Sequence, residues 1–148
     1  MTPPGLDREA TLVNRHLRIG WWSLATYLSL GVALEAMHGF KIGWYLDVSQ
    51  ATRRLLLTLA HAHGTLLALV HLAFAATLGL RPPRTASRAA VASACLTGAG
   101  IALPLGFLLG GLWPWGGDPG LGIVLVPVGA VLLLAGVVIV ALDLRADG

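Results

Sequence analysis

Three histidines stand close together in an otherwise apolar run, Thr58-Leu-Ala-His61-Ala-His63-Gly64-Thr65-Leu-Leu-Ala-Leu-Val-His71. A fourth, His38, closes the preceding apolar run three residues after Glu35. Imidazole nitrogen ligates haem iron and first-row metals, and a carboxylate can orient the ring that does so. Ionisable groups inside membrane segments are costly, so each is a functional-site hypothesis. Helical spacing restricts which of them act together. His61 and His63, two residues apart, point about 200° away from each other and do not share one ion on an intact helix. His63 and His71 differ by only about 80° in direction but by about 12 Å along the axis. Glu35 and His38 share a face. Bundle di-metal sites use that Glu-x-x-His spacing twice, with further glutamates; here it occurs once, which argues against such a site. Two chemistries remain. One is a haem with one or two imidazole ligands from His63, His61, His38 and His71. The other is a single metal ion held by His63, His38 and Glu35, in a metal-dependent membrane enzyme.

The segments that must position these groups read as membrane spans. Hydrophobic residues make up 56% of the 148 and charged residues 11%, less than half the share usual in a soluble domain. The expected class is all-α, a polytopic membrane protein with a four-helix transmembrane bundle. Residues 1–17 form an N-terminal tail or interfacial amphipathic helix. The membrane domain covers 18–142, with spans near 18–37, 53–80, 88–110 and 121–142, each long enough for a bilayer core. Residues 143–148 form a polar tail. Trp21-Trp22, Trp44-Tyr45 and Trp113/Trp115 suit interfacial belts, and Arg53-Arg54 suits an interfacial anchor. Asp47-Val-Ser49-Gln50 offers capping groups before the second span. The prolines at 82 and 83 break the chain, and Pro104 and Pro127 are candidate kink sites. Ala90, Ala94 and Gly98, with Gly106 and Gly110, place small residues every fourth position for close helix packing.

Basic residues set the orientation. Arg8, Arg15, Arg18, Arg81, Arg84, Arg88 and Arg145 fall on one side, and Lys41, Arg53 and Arg54 on the other. Both termini are therefore expected in the cytoplasm, in the cell inner membrane. The net charge of +3 is carried by these flanks, so the partner is the lipid bilayer and not nucleic acid. The N-terminus lacks the pattern of a cleaved signal. A single cysteine, Cys95, excludes an internal disulfide and haem attachment through paired cysteines. In this orientation Glu35, His38, His61 and His63 gather in the outer half of the membrane, with His71 deeper.

The stretch Ala62-His63-Gly64-Thr65-Leu66-Leu67-Ala68-Leu69-Val70 resembles the second transmembrane helix of the haem–copper oxidase catalytic subunit. Nitric oxide reductases share that pattern. The resemblance is loose over residues 20–80 and sharp only at His-Gly-Thr. It implies haem, with His63 as the low-spin axial ligand and Gly64 as the small residue that lets the macrocycle approach. The later spans that carry the second haem ligand and the copper ligands in that family have no counterpart here. Oxygen reduction by this chain alone is therefore not implied, and a second ligand must come from His38, His61, His71 or another copy.

Two functions follow. The first is a haem-binding membrane protein with a redox, electron-transfer or sensing role. The second is a non-catalytic packing or assembly subunit with structural histidines, in a homo-oligomer or a larger membrane complex. No reaction is specified by the sequence.

Overall fold

The computed structural model describes residues 4–81, 83 and 85–145. Arg84, part of the charge pattern, Pro82, part of the expected break, and residues 146–148 of the polar tail lie outside the described residues. The regular elements are α1 (Pro4–Gly39), the single turn α2 (Gly43–Leu46), α3 (Ala51–Leu80), α4 (Ala86–Leu112) and α5 (Leu125–Arg145). Short 3-10 turns at Val48–Gln50 and Leu121–Val124 lead into α3 and α5. Among the described residues there is no strand, and the one β-type pairing is an isolated bridge between Trp115 and Asp118. Three segments are long and apolar enough to cross a membrane: Val48–Leu80, Ala86–Leu112 and Leu121–Leu144. Helix α1 is not among them.

The N-terminal segment, from Pro4 on, and the first apolar run form one helix. Helix α1 runs unbroken for 36 residues. Its inward positions explain the continuity: Val13, Gly20, Tyr27 and Leu34 recur every seven residues, and His16, Ser23, Leu30 and Met37 fall three after each. All eight are buried or half-buried. That is the knobs-into-holes spacing of a helix pair, and it passes through Arg18 without a break.

Helix α3 lies between α1 and α4, and α5 packs chiefly on α4. Leu57, Gly64, His71 and Leu78 form the corresponding buried seven-residue row on α3. The α4–α5 seam is made by glycines. A side chain at Gly129 would meet the backbone nitrogen of Leu103 at 2.7 Å, and one at Gly136 would meet Leu96 at 2.9 Å. Gly98 and Gly106 on α4 approach Leu132 and Val126 in the same way. Small residues thus bring two apolar helices into backbone proximity, where dispersion replaces the missing hydrophobic drive. Ala90 and Ala94, expected in the same role, face outward.

Pro104 is buried within a continuous α4. Pro127 stands in the first turn of α5, where a missing N–H is tolerated, so it marks the start of that helix. Asp47 accepts from the Ser49 backbone at 2.9 Å and from its hydroxyl at 2.7 Å, capping the 3-10 turn before α3. Those two bonds hold the Asp47 carboxyl below its ordinary pKa. The loop before α5 closes through reciprocal Trp115–Asp118 backbone bonds, with φ +57° at Gly116 and +92° at Gly117. Consecutive left-handed residues of this kind favour glycine. Thr52 donates to the Gly117 carbonyl, tying this loop to α3.

Candidate functional site

The two histidines in the N-terminal half of α3 face opposite neighbours. His61 turns to α1, where its Nδ1 lies 2.7 Å from the Tyr27 carbonyl oxygen. A carbonyl only accepts, so this nitrogen carries the proton. The ring sits on Gly31, where any side chain would overlap it. His63 turns to α4 and rests against Phe107, with ring centroids 4.7 Å apart. Its Nδ1 donates to the carbonyl of Leu59 in its own helix, at 2.9 Å. The divergence expected from a two-residue spacing is therefore realised.

Gly64 does not open a slot for a macrocycle. The aromatic ring of Tyr27 fills the space beside its backbone. Glu35 and His38 are exposed near the C-terminal end of α1. They share that helix face without joining His63, which is engaged with α4. Among the described residues no group of three or more His, Cys, Asp or Glu side chains comes together. The ligand set His63, His38 and Glu35 is therefore not assembled, nor do His61, His63, His38 and His71 converge on a common centre. The residues present do not fit a haem in this arrangement. One ring is packed on Phe107, one is bonded across to Tyr27, and the glycine approach is occupied.

The polar centre of the protein lies elsewhere. His16 of α1 is fully buried, at 0% exposure. Its Nδ1 is 2.7 Å from Nδ1 of His71 on α3, and its Nε2 is 2.8 Å from Oγ of Ser93 on α4. The edge of Phe74 closes the group, in a T-shaped contact 4.7 Å from the His16 ring. One imidazole nitrogen of the facing pair donates and the other accepts. Either direction satisfies both nitrogens of His16 and Nδ1 of His71, because the Ser93 hydroxyl can donate or accept. The 2.7 Å spacing is that of a hydrogen bond. Two imidazoles on one tetrahedral metal would hold their nitrogens about 3.3 Å apart, given bonds of about 2.05 Å. The far side of His71 is equally tight: its Nε2 lies 2.8 Å from where a side chain at Gly100 would begin. Pro104 has no N–H to offer the Gly100 carbonyl four residues earlier, which loosens the α4 ladder at the point His71 abuts.

His71 is thus bonded to a residue that reading the chain for clustered histidines passes over. His16 sits alone among arginines in a segment that looks interfacial. The available signal was periodic: position 16 falls on the same inward row as Ser23, Leu30 and Met37. Ser93 carried no comparable signal, being one small residue among many in α4. No family model, curated protein or solved structure matches the chain, so the site is read from its own geometry.

Proposed function

We propose that the chain is a non-catalytic membrane bundle, a packing or assembly subunit whose buried histidines lock helices together. The observation that carries this reading is the His71–His16–Ser93 chain, which joins α3, α1 and α4 through side chains alone. His61 adds a second bond from α3 to α1. Apolar side chains gain little from helix association in lipid, because the lipid is equally apolar. Interhelical hydrogen bonds and close packing therefore carry more of the specificity there. In this reading α1 is a fourth crossing. It lies along α3 from Leu72 opposite Gly20 to His61 opposite Gly31, so a membrane around α3 also surrounds α1. The arginine asymmetry supports a topology with both termini in the cytoplasm.

The test sets structural histidines against cofactor ligands. The protein is expressed with added haem precursor, purified in detergent, and measured by absorbance and metal analysis. The expected outcome is no Soret band and no stoichiometric metal, together with loss of thermal stability in His16→Ala and His71→Ala. A Soret band abolished by His63→Ala would overturn the proposal in favour of a haem protein.

A further inference from the structure

The outward face of α1 around Arg15 and Arg18 is more polar than that of α5. On α5 the large exposed side chains are Val128, Val131, Leu134, Val137, Val138, Leu142 and Leu144. On α1, Thr11, Asn14, Arg15, Arg18, Ile19 and Trp22 line one open groove. Arg15 and Arg18 are exposed and have no hydrogen-bond or ion-pair partner among the described residues. Other arginines are engaged: Arg53 donates to the Trp44 carbonyl at 3.0 Å and stacks on its ring, and Arg88 pairs with Asp143 at 3.4 Å.

Packing fixes the depth of the groove. Arg15 and Arg18 flank His16, which bonds His71 nine residues before the end of α3. That is about 14 Å of helical rise inside the bundle end. Side chains on a helix lean toward its N-terminus. On α1 that is the end where Leu12 and Val13 pack with Leu78 and Ala89, close to the connection from α3 to α4. Both guanidinium groups therefore reach from the acyl region toward the head-group layer, with Trp22, 74% exposed, one turn deeper.

We infer that this face binds the phosphate of an anionic phospholipid from the leaflet at that end. Arg15 and Arg18 grip the phosphate, Asn14 offers its amide, and Trp22 lies along the glycerol and upper acyl chain. Arginine suits the task because its planar fork donates in pairs to phosphate oxygens. The inference rests on α1 lying within the membrane beside α3, as in the proposed function.

The experiment uses the full chain in phosphatidylcholine vesicles doped with acyl-brominated phosphatidylglycerol or, at equal mole fraction, acyl-brominated phosphatidylcholine. Bromine quenches nearby tryptophan, and the Trp22 signal is the difference between wild type and Trp22→Phe. The expected result is stronger quenching by the anionic lipid. At about 1 kcal/mol per arginine, the preference falls roughly 30-fold in the Arg15→Gln/Arg18→Gln double variant. Both arginines are exposed, so the variant keeps its helical circular dichroism, and Arg54→Gln at the opposite end leaves the preference intact. Equal quenching by the two lipids, or a preference that survives the double substitution, overturns the site. Displacement of the anionic lipid by millimolar inorganic phosphate overturns a lipid as its ligand. If neither lipid quenches Trp22, α1 is not in the bilayer, and the four-crossing reading falls with the site.

Discussion

Replacing His16 by alanine is the most direct perturbation of the bundle. The substitution removes a fully buried ring that bonds Nδ1 of His71 and Oγ of Ser93 and makes a T-shaped contact with Phe74. A deletion of this size leaves a cavity costing about 2 kcal/mol at the low end of core truncations. Two buried polar atoms lose their partner, at about 1 kcal/mol each at the low end of that range. The expected loss is therefore about 4 kcal/mol. Interhelical bonds in lipid average nearer 0.6 kcal/mol, because the dissociated helices also find partners, which would bring the sum closer to 3 kcal/mol. Ser93→Ala, which removes one bond and little volume, should cost about 1 kcal/mol. The assay is reversible unfolding in mixed micelles of mild detergent and dodecyl sulfate, followed by helical circular dichroism. Val32→Ala, at an exposed position on the same helix, is the control. The double variant His16→Ala/His71→Ala should lose about 1–2 kcal/mol less than the sum of the singles, since each removes the same bond. A loss for His16→Ala within 1 kcal/mol of the control, or strict additivity of the pair, would refute the histidine lock.

Other outcomes follow from close contacts and exposure. Gly64→Ala drives a methyl into the Tyr27 ring and should cost about 1–3 kcal/mol, read by the same unfolding assay. Gly31→Ala displaces the His61 ring, and hydrogen exchange in the C-terminal half of α1 should rise as the bond to Tyr27 is lost. Gly129→Ala meets the backbone of α4 and not a movable side chain; it should lower thermal stability by about 2–3 kcal/mol and increase cross-linking-detected separation of α4 and α5. Arg88→Ala breaks an ion pair whose arginine is 54% exposed, so its melting temperature should stay close to wild type, with a change below about 1 kcal/mol.

Length and hydropathy in the sequence are enough to mark three apolar helices and the breaks between them, because a bilayer admits few backbone solutions. The same reading locates the capping group at Asp47 and the divergence of His61 from His63, both of which depend only on local geometry. It places the chemistry in the first hairpin, but groups the wrong partners there. Glu35 and His38 were linked to His63 by depth alone, and depth says nothing of rotation about the helix axis. Rotation was decided by packing: the seven-residue rows on α1 and α3 turn His16 and His71 inward and leave Glu35 and His38 outside. His16 became the most buried polar side chain because α1 starts well before its apolar run and continues as one helix. Hydropathy reports how greasy each turn is. Only the register between two helices determines which nitrogen lies 2.7 Å from which, since a shift of one residue rotates a side chain by about 100°.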